Sequence, residues 1–234
     1  MKINKKNIFI SLSFLIPLIN IFAQPGIKGG FVVSGFKPSY NDVQGFSDVD
    51  FRPFLGYEVG WVQYGVSYPD FAWQLGVFYT SNLSHYFAIQ PEILLAQRGY
   101  RFYLAELYNT SYKLKVTYFQ LPLLLKYKIP LKWKIQPGFL AGPYLAFKLN
   151  ANRTINIWGD KDTKNIPNIR KFDYGLVSAI DSEFSAWSRK FLLEFRFNWG
   201  ISSIMTQPKD YIDLYDDPGK VQILAINFMA GYRF

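Results

Sequence analysis

Charged side chains recur at alternate positions within the most apolar stretches of the chain. In residues 190–201 the even positions include Lys190, Glu194 and Arg196. The odd positions are Phe191, Leu193, Phe195, Phe197, Trp199 and Ile201. Alternation with a period of two is typical of a β-strand, which places the two sets on opposite faces. Charges of both signs on one face can form ion pairs with each other or line a polar path.

Catalysis has one candidate side chain, His85, which is the only histidine of the chain. A hydrolase or acyltransferase needs a general base beside a nucleophile, and no Gly-x-Ser-x-Gly motif accompanies this histidine. Cysteine is absent, so neither thiol chemistry nor disulfides contribute. We therefore predict a surface histidine and no enzymatic activity, while catalysis by carboxylates alone stays open.

Residues 203–220 hold an acidic cluster that oxygen-preferring cations favour. Its aspartates are Asp210, Asp213, Asp216 and Asp217. Their spacing differs from that of a calcium-binding loop, and Lys209 and Lys220 offset part of the charge. We predict a solvated acidic loop, with no metal site and no cofactor.

Residues 148–170 combine basic and aromatic side chains. These are Arg153, Trp158, Lys161, Lys164 and Arg170. Cations of this kind form charge-assisted hydrogen bonds with phosphate groups. We hypothesise that this segment contacts the phosphates of lipopolysaccharide.

Composition favours strands and one domain. The chain has 234 residues, of which 50% are hydrophobic and 19% are aromatic, and aromatic residues favour β-structure. Beyond residue 23 no segment approaches the roughly 18 consecutive apolar residues of a membrane helix. The basic residues are mixed with acidic ones, so nucleic-acid binding is not predicted.

The N-terminus has the layout of a secretory signal. Lys2, Lys5 and Lys6 precede an apolar run over 8–22, which ends at Ala23. This order is typical of a cleaved signal peptide, here predicted over 1–23; a short membrane anchor is the alternative. Cleavage would lower the net charge from +9 to +6, because the segment holds three lysines and no acidic residue.

Eight strands are predicted from alternating segments in the remaining chain, 24–234. They span about 26–36, 71–80, 86–99, 114–127, 131–147, 171–184, 190–201 and 222–234. The connections between them alternate between long and short. The long ones cover 37–69, 100–113, 148–170 and 203–220. Residues 54–66 also have strand character, but a ninth strand would exchange every short turn with a long loop.

An even strand number, alternating connections and one apolar face per strand are typical of an outer-membrane barrel. We therefore predict an all-β fold, an eight-stranded antiparallel up-and-down transmembrane β-barrel. A soluble lipocalin-like barrel would instead place the bulky apolar rows inside and the charged rows in water.

The charged rows then face the barrel interior. The predicted lumen charge network comprises Glu92, Arg98, Lys126, Asp173, Glu183, Glu194, Arg196 and Arg233, and Lys28 and Asp181 share these rows. Eight strands leave an interior just wide enough for side chains to fill. Because unpaired buried charges are costly, we predict a plugged lumen of paired charges. A narrow polar pore is the alternative.

Six segments carry a likeness to a known family: 26–30 (GIKGG), 90–95 (QPEILL) with Gly99, 118–127 (YFQLPLLLKY), 142–144 (GPY), 173–176 (DYGL) and 231–234 (GYRF). Together they resemble the PorT-like family of outer-membrane β-barrel proteins from Bacteroidetes-type bacteria. An insertion at about 40–67 departs from the compact first loop usual in such proteins. The resemblance implies an outer-membrane location and leaves the activity open, and Phe234 resembles the terminal signal that the barrel-assembly machinery reads.

Three functional hypotheses follow. The first is a small non-enzymatic barrel whose external loops bind an envelope protein partner or support the envelope, in contact with outer-membrane lipid and lipopolysaccharide. The second is a pore component associated with transport or secretion. The third is an envelope enzyme built on a barrel.

Overall fold

Nine β-strands form in the computed structural model, which describes residues 23–38, 65–104, 110–131, 135–166, 169–186, 189–203 and 221–234. The strands are β1 (Ala23–Pro38), β2 (Gly65–Asn82), β3 (Phe87–Leu104), β4 (Thr110–Lys128), β5 (Ile135–Ile157), β6 (Asp160–Asn165), β7 (Phe172–Ala186), β8 (Arg189–Gly200) and β9 (Val221–Arg233). Among these residues no helix is long and apolar enough to cross a membrane.

Eight of the strands close into a barrel. Each pairs antiparallel with its neighbour, β5 pairs with both β4 and β7, and β1 pairs with β9 from Gly26 opposite Arg233 to Pro38 opposite Val221. The short strand β6 pairs with β5 and lies outside this ring. The predicted eight-stranded antiparallel barrel is therefore confirmed.

On the strands that the sequence predicted, the two faces agree with the prediction at the described positions. Phe195 is 43% exposed, whereas its chain neighbours Glu194 and Arg196 are 3% and 0% exposed. Phe31 and Phe71 on the outer face are more than 70% exposed, at 74% and 73%. A lipocalin-like arrangement would reverse these values, so the soluble alternative is wrong.

Aromatic rings mark both ends of the apolar outer surface. At the end with the short connections, the centroids of Phe184 and Phe191 lie 5.7 Å apart, and those of Phe191 and Tyr232 lie 5.8 Å apart. At the other end Phe147 lies between Phe119 and Phe172, at 6.5 and 5.1 Å. Such aromatic girdles are typical of the two membrane interfaces.

The predicted loop over 148–170 was wrong, because β5 continues to Ile157 and forms a hairpin with β6. Trp158 and Gly159 have φ values of 55° and 95°, as a tight two-residue hairpin turn requires. The polar composition of the segment, with cross-strand contacts such as Thr154 to Thr163 at 3.0 Å, conceals this strand pair in the sequence.

Other predicted boundaries were also displaced. The polar loop predicted at 100–113 is shorter, because β3 ends at Leu104 and β4 begins at Thr110. Strand β2 begins at Gly65, so the last two residues of the ambiguous segment 54–66 extend this strand. The rest of that segment lies outside the described residues, as do the predicted signal segment up to residue 22 and the acidic residues of 204–220.

A charge on the outer face should prevent membrane assembly. Phe195→Asp would place a carboxylate in hydrocarbon midway along β8, at a cost of about 3 kcal/mol. We expect a large loss of folded protein in lipid vesicles, measured by heat-modifiable gel migration. Phe195→Leu is the control and should fold normally. Equal folded yields for the two variants would contradict the assignment of the outer face.

Candidate functional site in the barrel interior

A ring of four ionised side chains crosses the barrel interior. The Lys28 ammonium lies 2.6 Å from Glu92 Oε1 and 2.8 Å from Glu194 Oε2. Arg196 closes the ring, with its Nε 2.5 Å from Glu194 Oε1 and its Nη2 2.8 Å from Glu92 Oε2. All four side chains have 0% solvent exposure. Two positive and two negative charges thus neutralise one another within a single layer.

The ring joins strands that are not neighbours. Lys28 belongs to β1, Glu92 to β3, and the other two residues to β8, whereas β1 pairs with β2 and β9. Lys28 lies opposite Gly76 on one side and Gly231 on the other. A Cβ atom at Gly76 would lie 2.1 Å from the Ile93 carbonyl oxygen, so only glycine fits there. Because β1, β3 and β8 are not adjacent in the sheet, these ion pairs span the interior.

A second group of charges lies nearer the end with the short connections. Arg233 donates two hydrogen bonds to Glu183, at 2.7 and 2.6 Å. Lys126 donates to the same carboxylate and to Asp181. This group also contains two positive and two negative charges. The hydrogen bond from Thr80 to Gln90, at 3.1 Å, connects it to the ring, because Arg233 donates to Thr80 and Gln90 donates to Glu92.

Two of the predicted network residues are buried without forming an ion pair with each other. Arg98 donates to the side-chain oxygens of Gln74 and Gln120, at 3.0 and 3.2 Å. Asp173 accepts hydrogen bonds from the hydroxyl groups of Tyr144, at 2.9 Å, and Ser202. The structure thus places the other six predicted residues in ion pairs and these two in bonds to neutral groups.

An apolar cluster fills the interior towards the end with the long connections, and the sequence reasoning missed it. Leu114, Val116 and Ala151 are at most 1% exposed, and Ile166 and Ile169 pack against the same cluster. The two isoleucines come from the chain that follows β6, which is anchored by a 2.9 Å hydrogen bond from Ile166 N to the Ala151 carbonyl. The connection after the hairpin therefore folds back into the barrel mouth.

The sequence carried part of this signal. Leu114 and Val116 lie at alternate positions of β4, on the same face as Gln120 and Lys126, so the inner row was readable as a mixed polar and apolar one. The contribution of Ile166 and Ile169 depends on how the chain returns after β6. No local pattern predicts that path.

The hairpin divides the basic and aromatic residues predicted at 148–170 between its two faces and its tip. Arg153 lies opposite Lys164 on one face of the hairpin, and Lys161 lies opposite Asn156 on the other face. Lys164 pairs with Asp162 at 2.8 Å, and Trp158 at the tip is 73% exposed. The hairpin thus presents an exposed aromatic tip and one cross-strand pair of cations, and its contact with lipopolysaccharide stays a prediction.

His85 lies in a short turn at the opposite end of the barrel. Its ring contacts Tyr86 edge-on at 5.1 Å. The neighbouring Ser84 hydroxyl accepts hydrogen bonds from the backbone N–H groups of Tyr86 and Phe87, at 3.3 and 3.1 Å. This serine therefore stabilises the turn. Within the described ranges, no group of three or more His, Cys, Asp or Glu side chains is arranged to hold a metal ion.

Comparisons with known proteins identify a barrel family. A family model described as outer membrane protein beta-barrel domain matches residues 21–206. Neisserial surface protein A is similar to the chain at 9% identity and a TM-score of 0.43, over 92% of this chain and 100% of that chain. No curated protein matches.

Two further solved barrels are similar at the same low level. The attachment invasion locus protein Ail of Yersinia pestis has 12% identity and a TM-score of 0.40, over 92% of this chain and 100% of that chain. OprG from Pseudomonas aeruginosa has 11% identity and a TM-score of 0.41, over 91% and 96%. At these values the likenesses carry no functional inference.

Removing one member of the ionic ring should destabilise the barrel. Lys28→Met leaves three buried charges with a net charge of −1 and should lower the free energy of unfolding by about 3 kcal/mol. Lys28→Met combined with Glu194→Gln restores neutrality, so the double variant should lose less than the sum of the two single variants. Denaturant unfolding in detergent micelles measures both, and strictly additive losses would contradict the ring.

Proposed function

The chain belongs to the outer membrane protein beta-barrel domain family, and from that premise we propose a non-enzymatic envelope protein with a closed interior that acts through its external face. Membership implies an outer-membrane location, with the short connections facing the periplasm and the long ones facing outward. The observation that carries the proposal is the ionic ring across the interior.

The interior filling supports a closed barrel rather than a channel. An ion path along the axis would have to separate Lys28 from Glu92 and Glu194, whose contacts are 2.6 and 2.8 Å. It would also cross the apolar cluster around Leu114 and Ile169. Breaking a buried ion pair is costly because each charge then lacks both partner and water. A pore component associated with transport or secretion is the alternative that a conductance measurement separates from our proposal.

The external hairpin supports a binding role. Strands β5 and β6 extend past the barrel rim and expose the indole of Trp158 at 73%. Exposed aromatic side chains are frequent anchors of protein interfaces. We propose that the hairpin contacts an envelope protein partner.

We propose that residues 1–23 are removed on export and that the chain is PorT-like. We also propose that Phe234 is read by the barrel-assembly machinery. Its aromatic ring is 68% exposed, and its backbone N–H donates to the Pro25 carbonyl at 2.9 Å, which holds the end of the chain at the barrel seam.

The closed interior predicts the absence of conductance. Purified protein in planar bilayers should give no stable single-channel steps, whereas an open porin in the same bilayers serves as the positive control. Stable steps of one size would contradict the proposal and favour the pore. Outer-membrane fractionation with heat-modifiable migration tests the location separately, and recovery of the mature chain from the soluble periplasm would contradict it.

A further inference from the structure

The upper limit of the apolar surface is sharply defined on three neighbouring strands. Leu95, Phe119 and Phe147 lie opposite one another on the outer faces of β3, β4 and β5. The next outward row consists of Gln97, Thr117 and Asn150. On β3 and β4 apolar residues therefore give way to polar residues within one row, whereas on β5 Leu149, beside Asn150, is still 58% exposed. This change marks the outer membrane interface on this side of the barrel.

Three cations lie directly above this limit. Lys115 is one row higher, opposite Gly99, and Lys113 is two rows higher, opposite Arg101. Asp70 binds Arg101 and Lys113, each at 3.0 Å. Lys115 lies on the same face of β4 as Lys113, one row nearer the membrane.

These cations face outward rather than into the barrel. Leu114 and Val116 alternate with the lysines along β4 and have 0% exposure, so they occupy the inner face. The Lys113 and Arg101 side chains are 29% and 38% exposed. Both cations are thus partly accessible, while their shared partner Asp70 is 2% exposed.

Their height matches the headgroup layer. Lys115 lies four residues beyond Phe119, which is about 14 Å along an antiparallel strand. A strand tilt of about 40° reduces this to about 10 Å above the last aromatic ring. Long cationic side chains also extend towards the interface. The ammonium groups can therefore reach phosphates just outside the hydrocarbon layer.

Neutral hydrogen-bonding groups continue the same rows on the hairpin. Lys115 is followed across the sheet by Asn152 and Asn165, and Lys113 is followed by Thr154 and Thr163. Amides and hydroxyls beside a cationic cluster suit a ligand in which sugars adjoin phosphates. A simple phospholipid offers the phosphate without the sugars.

We propose that this outer wall site binds a phosphorylated glycolipid of the outer leaflet, of the lipopolysaccharide class. The wall site comprises Arg101, Lys113, Lys115, Asn152, Thr154 and Thr163. The cations bind phosphate through charge-assisted hydrogen bonds, and the β5 and β6 side chains bind the sugars. This inference rests on the proposed outer-membrane location, to which it adds a lipid ligand. It differs from the basic residues that the sequence suggested at 148–170.

The test compares lipid binding by folded variants. Wild-type barrel in detergent micelles is titrated with purified lipopolysaccharide, and Lys113→Gln with Lys115→Gln removes two charges of the wall site. Lys128→Gln with Lys190→Gln removes two charges at the periplasmic end and is the matched control. We expect the wall-site variant to bind about tenfold more weakly, which corresponds to the net loss of about one charged hydrogen bond. The control should bind as the wild type does.

Two competitors define the ligand. Dephosphorylated lipopolysaccharide and phosphatidylglycerol should each compete at least about tenfold less well than intact lipopolysaccharide. Equal binding by the wall-site variant and wild type would overturn the site. Equal competition by phosphatidylglycerol would overturn the assignment to a glycolipid, and equal competition by the dephosphorylated form would overturn phosphate recognition.

Heat-modifiable migration of each sample separates this inference from the proposed function. If the barrel folds and fractionates with the outer membrane but fails to discriminate these lipids, only the wall site is wrong. If the wild-type chain is not in the outer membrane, the proposed function itself fails.

Discussion

Closure of the backbone hydrogen-bond network between β1 and β9 is the constraint on which the rest of the structure depends. In hydrocarbon an unpaired peptide group costs several kcal/mol, so a sheet crosses a membrane only without open edges. The pairing that runs from Gly26 opposite Arg233 to Pro38 opposite Val221 removes both edges of the eight-stranded sheet. Once it closes, every strand has one face towards lipid and one towards a narrow interior. This explains why apolar residues alternate with charged residues along the strands.

The narrow interior decides how its charges are arranged. A layer in which Lys28 and Arg196 face Glu92 and Glu194 is neutral as a whole, as is the layer of Lys126, Arg233, Asp181 and Glu183. Such balanced layers hold buried ions without water, but they add little net stability relative to an apolar filling. Their effect is specific, because the charges that meet come from strands that are not neighbours. The barrel can then present its external surface on a rigid support.

The outer features were readable from the sequence because they depend on local periodicity. Phe195 between Glu194 and Arg196 identifies both faces of β8, and the alternation of connections gives the strand number. The partners within the interior were less accessible, since Arg98 and Asp173 bind Gln74 and Tyr144 across strands whose relative stagger no single strand encodes. The β5–β6 hairpin cannot be predicted from alternation, because its Asn, Thr and Lys residues are polar on both faces. The wall site needs the same inter-strand register to bring Arg101 beside Lys113.

Spin labelling along β8 in lipid bilayers tests most directly whether this barrel is closed, with lipid outside and packed side chains within. The chain has no cysteine, so single cysteine variants at residues 191, 192, 193, 195, 197 and 198, which leave the ionic ring intact, can be labelled one at a time. We predict a period of two: labels at odd positions are relaxed by oxygen dissolved in lipid, and labels at even positions are shielded from both oxygen and a water-soluble nickel complex. Strong relaxation of the even positions by the nickel complex would reveal a water-filled lumen and contradict the closed interior, and a lack of alternation would contradict the barrel itself.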